Sequence, residues 1–215
     1  MATHDPVAAG TEKIPFITDK TVTYPASPVI KSGTLSEDFV VQGVHFKRGA
    51  VLGFDENGLL WRCTISKDAV IRGLPCKAKS EVEFFPRGNL LSCILSADTH
   101  IGCISLAKGS LVMFYRNGRL FTCTMVHDTV IDRYPVRCGG DVCFFDNGRL
   151  SSFYLSQDRS IEGISCPAGS RVWLRKKGGL RACTSGRDVE IQGVHYGAGE
   201  LIVFREDGAL IDCRR

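Results

Sequence analysis

The sequence predicts an all-β fold, a β-solenoid of about six repeats of thirty residues with three short strands in each repeat. Three observations support this fold class. Residue types recur at a spacing of thirty positions, glycine and Asp residues punctuate each copy, and the apolar segments between them are too short for helices. We therefore expect one structural unit copied along the chain and stacked on its neighbours.

The repeat keeps one register over most of the chain. Its glycine column is Gly58, Gly88, Gly118, Gly148, Gly178 and Gly208, its leucine column is Leu60, Leu90, Leu120, Leu150, Leu180 and Leu210, and its Asp column is Asp38, Asp68, Asp98, Asp128, Asp158 and Asp188. Because no insertion separates the copies, we expect a single β-repeat array over residues 20–215. Residues 1–19 lie outside the repeat, and Pro6, Gly10 and Pro15 break any regular pattern there, which predicts an N-terminal tail or cap.

Within one copy, three short segments carry strand-like spacing, for example residues 112–115, 120–125 and 130–136. Asn117-Gly118 provides the positive φ that a tight turn between the first two segments needs. In a solenoid, equivalent residues of successive copies would stack about 4.8 Å apart. An antiparallel meander of hairpins is the alternative, because Asn-Gly between apolar runs is also a strong hairpin signal. We favour the coil, since three strands per copy would reverse the strand direction between successive copies of a meander.

The turn sequences carry a resemblance to a known family. At YRNGRL (residues 115–120) and FDNGRL (residues 145–150), the sequence resembles MORN-like bacterial repeat proteins, whose units centre on an aromatic-x-x-Asn-Gly-x-Leu turn. MORN units are shorter than the copies in this chain and carry additional Gly and Tyr positions. The resemblance implies scaffolding or membrane tethering and identifies no functional residue.

The cysteines read as structural thiols. Five of the ten cysteines share one repeat column, Cys63, Cys93, Cys123, Cys183 and Cys213, and Phe153 is the sixth member of that column. A column that accepts Phe is an apolar interior column, and free Cys behaves as a small buried hydrophobe. No CxxC pair or Cys/His cluster at zinc spacing is present, so we expect no metal site and reduced cysteines in a reducing compartment.

Charge and motifs exclude several classes of function. The formal net charge is +4, and basic residues are interleaved with acidic ones, so we expect no nucleic-acid partner. The chain has no phosphate-binding glycine loop before a helix, no HExxH and no GxSxG, and we expect no cofactor. Its N-terminus lacks the pattern of a signal peptide and no apolar run reaches transmembrane length, which predicts a cytoplasmic protein.

The positions at which the copies differ are the best candidates for function. Strand alternation places one set of variable side chains on the face opposite Val82 and Phe84. This predicted stripe is Phe85, Met113, Tyr115, Phe121, Phe145 and Trp173, with Arg116 and Arg119 at its rim. Exposed aromatic residues next to Arg are typical of interaction sites.

Three interpretations of the stripe remain open. It is covered by the N-terminal tail or a second internal layer, it binds a second copy of the chain or another protein, or it forms a groove for an apolar or carbohydrate ligand, because aromatic rings stack on sugars. The function predicted from the sequence is a non-catalytic interaction or ligand-binding module.

An enzyme of transferase, cyclase or hydrolase type is the alternative function. The glycine column of Gly43, Gly73, Gly163 and Gly193 is interrupted by Cys103 and Arg133. In a coil these two residues would stack, and a neighbouring guanidinium favours the thiolate. His100 would then serve as a base if its ring turned towards Cys103. Ordinary drift of the repeat, with a buried thiol at residue 103, is the simpler interpretation.

Overall fold

The computed structural model describes residues 14–25, 30–86, 88–102 and 104–211 of the 215-residue chain. All regular structure in these ranges is β-strand, and they contain no helix. Accordingly, no described segment is a helix long and apolar enough to cross a membrane. The prediction of an all-β repeat fold is confirmed.

The strands are short and evenly spaced along the chain. The first thirteen are β1 (Phe16–Thr23), β2 (Ile30–Leu35), β3 (Phe39–Val41), β4 (Val44–Phe46), β5 (Val51–Phe54), β6 (Leu60–Thr64), β7 (Ala69–Ile71), β8 (Leu74–Cys76), β9 (Glu81–Phe84), β10 (Leu90–Ile94), β11 (Thr99–Ile101), β12 (Ile104–Leu106) and β13 (Leu111–Phe114). The others are β14 (Leu120–Thr124), β15 (Thr129–Ile131), β16 (Tyr134–Val136), β17 (Asp141–Phe144), β18 (Leu150–Tyr154), β19 (Arg159–Ile161), β20 (Ile164–Cys166), β21 (Arg171–Leu174), β22 (Leu180–Thr184), β23 (Val189–Ile191), β24 (Val194–Tyr196), β25 (Leu201–Phe204) and β26 (Leu210–Ile211).

The chain forms two compact units. Unit 1 comprises Met1–Thr99 and Ala107–Gly118, and unit 2 comprises His100–Leu106 and Arg119–Arg215. In unit 1 the strands of the main sheet follow the order β1-β2-β5-β6-β9-β10-β13, with β3-β4 and β7-β8 as separate hairpins. In unit 2 the order is β14-β17-β18-β21-β22-β25-β26, with hairpins β15-β16, β19-β20 and β23-β24 and, apart from Thr99, β11-β12. The single array over residues 20–215 stays a prediction.

Each copy contains four strands, not the three that the sequence predicted. The predicted third segment, residues 130–136, is a hairpin of β15 and β16, in which Thr129 pairs with Val136 and Ile131 with Tyr134. Asp132 and Arg133 form its turn with φ of 48° and 73°. Two consecutive left-handed residues are the geometry of the tight turns that hairpins favour. The sequence predicted one strand here, although Gly43, Gly73, Gly163 and Gly193 occupy the position of Arg133 in other copies.

The strand pairing is that of a hairpin meander. Within each unit the strands of the main sheet pair antiparallel with their neighbours, and β18 pairs with β17 and β21, not with its equivalents β14 and β22. Equivalent strands of successive copies are therefore not stacked next to each other as in the coil that we favoured. An even number of strands in each copy preserves the strand direction from one copy to the next, which removes the argument against a meander.

The repeat columns form the core because alternate strand residues point to one face of each sheet. One fully buried column is Leu52, Val82, Val112, Val142, Val172 and Ile202, each with 0% of its surface exposed. The cysteine column is also interior, and Cys63, Cys93, Cys123, Phe153 and Cys183 are all buried. The prediction of an apolar interior column is thus confirmed for the described members.

The Asp column fastens the base of each small hairpin. In six copies the Asp carboxylate accepts a hydrogen bond of 2.7–2.9 Å from the backbone N–H ten residues further on, at Arg48, Ala78, Lys108, Cys138, Ala168 and Ala198. Each bond joins the turn before a hairpin to the turn after it. The column is therefore explained by the fold and needs no catalytic role.

The N-terminal edge of unit 1 includes part of the segment predicted to be a tail or cap. β1 begins at Phe16 and pairs with β2. The Phe16 ring covers Gly33, where an added Cβ would lie 2.6 Å from the ring, and makes an edge contact with Phe54 at a centroid distance of 6.2 Å. Residues 1–13 of the predicted tail lie outside the described residues.

Candidate functional site

The outward face of unit 1 holds four of the predicted stripe residues. Phe85, Met113 and Tyr115 are half-buried, and Met113 points away from the buried Val112. The exposed Arg116 places its guanidinium 5.5 Å from the centroid of the Phe85 ring, within the range of a cation–π contact. The predicted rim arginine thus covers one of the predicted aromatic residues.

Polar and charged groups occupy the remainder of this face in unit 1. The Ser92 hydroxyl donates a 2.7 Å hydrogen bond to the Glu83 carboxylate. Arg62 forms an ion pair of 3.4 Å with Glu81, and its guanidinium lies 4.3 Å from the centroid of the Trp61 ring. These contacts make this face a mixture of aromatic and charged groups.

Unit 2 holds the other four predicted stripe residues. Phe121 is 37% exposed, and Phe145 and Trp173 are half-buried. Arg119 donates to the backbone carbonyl of Asn147 in the next Asn-Gly turn. Arg149, one copy later, donates in the same way to the carbonyl of Lys177 at 3.3 Å. Arg119 and Arg149 thus each connect their own turn to the turn of the next copy.

A stack of three side chains lies on the outward face of unit 2. The Arg171 guanidinium carbon is 5.4 Å from the centroid of the Tyr154 ring and 5.4 Å from that of the Trp173 ring. The Arg171 guanidinium also donates a 3.1 Å hydrogen bond to the Ser152 hydroxyl. Ladder pairing brings these residues together, because Tyr154 pairs with Arg171 and Ser152 pairs with Trp173 on adjacent strands. We call Tyr154, Arg171 and Trp173 the Arg171 stack.

Gly140 makes room for the Tyr154 ring. A Cβ at Gly140 would lie 2.6 Å from Cδ2 of Tyr154, which is closer than a side chain allows. The equivalent positions in the other copies are Ala50, Ser80, Ser110, Ser170 and Glu200. The missing side chain and the large ring therefore occur together in one copy, so the Arg171 stack depends on a local departure from the repeat.

A charged row and a shallow cavity adjoin the Arg171 stack. Arg171 pairs with Tyr154 from β21, while Asp141 lies on β17, the strand on the other side of β18, and lines a cavity with Tyr154. A cavity of about 510 Å³ next to the Tyr154 ring is lined by Arg137, Cys138, Gly139, Gly140, Asp141, Tyr154 and Gly169. Aromatic, cationic and anionic groups are thus available side by side.

Trp173 is one of the residues predicted from the sequence, whereas Tyr154 and Arg171 are not. Tyr154 belongs to a column that otherwise holds Thr64, Ile94, Thr124 and Thr184, and Arg171 belongs to one that holds Val51, Glu81, Leu111, Asp141 and Leu201. The sequence does carry a signal for them. One copy has Gly140 where the others have a side chain, and the same copy has Tyr154 where the others have Thr or Ile. Its meaning depends on the strand register, which the period alone does not provide.

The residues of the enzyme alternative are only partly described. Cys103 lies outside the described residues. His100 is exposed on β11, and Arg133 is exposed in the β15-β16 turn. Arg133 lines a cavity of about 470 Å³ with Tyr134, Arg149 and Arg175 among others. Within the described ranges, no group of three or more His, Cys, Asp or Glu residues is placed to hold a metal ion.

Comparison with known proteins assigns no relative: no protein-family model matches the chain, and no curated protein matches its sequence. The interpretation of the outward face consequently depends on its own geometry.

Proposed function

We propose that the chain is a non-catalytic interaction module and that the outward face of unit 2 binds a second copy of the chain. The observation that carries the proposal is the Arg171 stack, which occurs in one copy and is not required by the repeat. Residues that serve only the fold recur in columns, whereas Tyr154, Arg171 and Gly140 interrupt theirs. Trp, Tyr and Arg are also the side chains that dominate the energetics of protein interfaces.

Charge arrangement favours a second copy as the occupant. In a two-fold symmetric dimer, the same patch of each protomer meets its own image, so the patch must be self-complementary. Asp141 and Arg171 flank Tyr154, and a two-fold axis near Tyr154 would place each Asp141 opposite the partner's Arg171. An acidic and a basic group on opposite sides of one aromatic ring satisfy that condition.

Rings stacked on a guanidinium suit this function better than free rings would. The cation–π contacts fix the orientation of Tyr154 and Trp173 before binding, so less side-chain entropy is lost when they are buried. A cytoplasmic location and a relation to MORN-like arrays belong to the same proposal.

The test is the native mass of the chain, measured by light scattering over a dilution series. We expect twice the protomer mass of 23.5 kDa for the unaltered chain. Tyr154→Thr, which introduces the residue of the neighbouring copies, and Trp173→Ala should each shift the mass to that of a monomer. Trp61→Ala is the matched control, because Trp61 is also a tryptophan stacked by an arginine but lies in unit 1.

The outcomes separate binding of a second copy from binding of a carbohydrate. A chain that stays monomeric at all concentrations contradicts the second copy as the occupant. If that monomer then shows Trp fluorescence changes with an oligosaccharide, and Trp173→Ala abolishes them, the face is a carbohydrate site. A dimer that both unit 2 variants leave intact places the interface elsewhere and contradicts the proposal as well.

A further inference from the structure

Two pairs of buried cysteines come together at equivalent places in the repeat. In unit 2 the Sγ atoms of Cys166, at the end of β20, and Cys183, in β22, are 2.7 Å apart. In unit 1 the thiols of Cys76, at the end of β8, and Cys93, in β10, are hydrogen-bonded to each other. The sequence separation is seventeen residues in both cases, so both pairs join the same two repeat columns.

The other copies show why these two pairs differ from ordinary buried thiols. The same two columns hold Phe46 with Cys63, Leu106 with Cys123, and Val136 with Phe153. In each of these copies at least one of the two positions carries a larger apolar side chain. Where two cysteines occur instead, both are fully buried, and the sulfur atoms approach each other.

We propose that Cys76 with Cys93, and Cys166 with Cys183, are sites of disulfide formation and that the oxidant is a low-molecular-weight disulfide. The separation in unit 2 exceeds a covalent S–S bond of roughly 2.05 Å by only about 0.7 Å, so closure needs little movement of the backbone. This inference is independent of the proposed interaction face. In a reducing compartment such as the cytoplasm both pairs stay as thiols, and they close when oxidised glutathione is present.

The chemistry balances with oxidised glutathione as the oxidant. One cysteine thiolate attacks a glutathione sulfur, forms a mixed disulfide and releases one glutathione thiolate. The second cysteine, as its thiolate, attacks the sulfur of the first and releases the other glutathione. The two cysteines lose two electrons and two protons, and the oxidant is reduced to two molecules of glutathione.

The two thiols of each pair differ in the folded chain, which reflects their direct contact. The hydrogen bond with Cys183 lowers the pKa of Cys166, and the hydrogen bond with Cys93 lowers the pKa of Cys76, in both cases against the effect of burial. By contrast, burial raises the pKa of Cys123 to about 12. Because all four paired thiols are fully buried in the folded chain, the oxidant reaches them during folding, before the core closes.

The test is refolding of the full chain from denaturant in the presence of oxidised glutathione, followed by alkylation of the remaining thiols under denaturing conditions. Trypsin releases Cys166 in residues 160–171 and Cys183 in residues 182–187, so a cross-link joins two short peptides that mass spectrometry identifies. We expect this cross-link and the one between Cys76 and Cys93, each with a mass about 2 Da below that of its dithiol. On addition of a reductant, the melting temperature should fall by roughly 5–10 °C.

Single substitutions sharpen the test. Cys166→Ser should remove the second cross-link and retain the first, whereas the control Cys123→Ser should retain both. Leu106 and Cys123 occupy the two columns that hold both cysteines of each pair. Leu106→Cys should therefore create a third cross-link, between residue 106 and Cys123. Recovery of all four cysteines as alkylated thiols after oxidative refolding overturns the proposal, as does preferential cross-linking of Cys63 or Cys123 in the unaltered chain.

Discussion

The packing of Phe153 gives the most quantitative prediction about the core. Phe153 replaces the cysteine of its column, is fully buried, and lies 5.2 Å from the Tyr134 ring between centroids. Val136, also fully buried, stands in the column that pairs with it. The copy before has Leu106 and Cys123 at these two positions. The copy with the large Phe153 thus has the small Val136, whereas the copy with the small Cys123 has the larger Leu106.

We expect Phe153→Cys to lower the free energy of unfolding by about 2–4 kcal/mol, because it leaves a cavity in a core that relaxes only partly. Val136→Leu should cost about 1–3 kcal/mol by overpacking against the ring. The double variant copies the Leu106 and Cys123 pair, so its cost should be smaller than the sum of the two single costs by about 1–3 kcal/mol.

The assay is urea unfolding of the four proteins of this cycle, followed by the fluorescence of Trp173 and by circular dichroism, at a protein concentration where the native mass is the same for all four. Val112→Ala, a substitution in the core of unit 1, is the control and should show no coupling with Val136→Leu. A coupling free energy within about 0.5 kcal/mol of zero would refute the idea that the two columns exchange volume.

Three further predictions concern the turns and the outward face. Arg133→Gly should raise the free energy of unfolding by about 1 kcal/mol in urea, because φ is 73° at a position where other copies hold glycine; unchanged or lower stability would show that the Arg133 side chain compensates for its backbone. The backbone hydrogen bond from Cys138 lowers the pKa of Asp128 in the folded state, so its contribution to stability is complete above the unfolded value of about 3.9 and is lost as pH falls through the folded pKa. The difference in urea midpoint between the unaltered chain and Asp128→Asn should therefore shrink as pH falls below about 4, and a constant difference would contradict the role of the charge. Gly140→Ser should displace the Tyr154 ring and change the Trp173 emission, whereas Gly140→Ser combined with Tyr154→Thr should unfold at the same urea concentration as Tyr154→Thr alone; a loss of stability in the double variant would mean that the glycine is needed for its backbone.

The core could be predicted from the repeat, because equivalent positions are buried in successive copies. For example, the column that runs from Leu52 to Ile202 recurs every thirty residues in the sequence, and its members are fully buried in the structure. The Asp column was also recognised as a turn element, although the bond reaches ten residues along the chain instead of closing a local turn.

The pairing of the strands could not be read from the same period. A period of thirty residues is equally compatible with parallel coils and with antiparallel hairpins, and the decision depended on counting strands within a copy. Asp132 and Arg133 concealed a turn, since a left-handed conformation is unusual for residues other than glycine. Gly43, Gly73, Gly163 and Gly193 mark the same turn in other copies. A turn at this position divides the third segment into two strands and gives four strands in a copy.

The candidate site was predictable only in part for a related reason. Trp173 and Phe121 could be predicted from strand alternation within their own segments. The Arg171 stack requires the register between β18 and β21, which places residue 154 opposite residue 171. Interactions between strands of different copies are invisible in a comparison of equivalent columns.

The hydrogen bond of each Asp to the backbone ten residues ahead has a consequence for how such a chain changes in length. Every small hairpin is fastened by a residue of its own copy, and every copy contributes an even number of strands. Loss or duplication of thirty residues at a copy boundary would leave the direction of the remaining strands and their Asp bonds as they are. The array can therefore shrink or grow by whole copies while the remaining strands keep their direction and the small hairpins keep their Asp bonds.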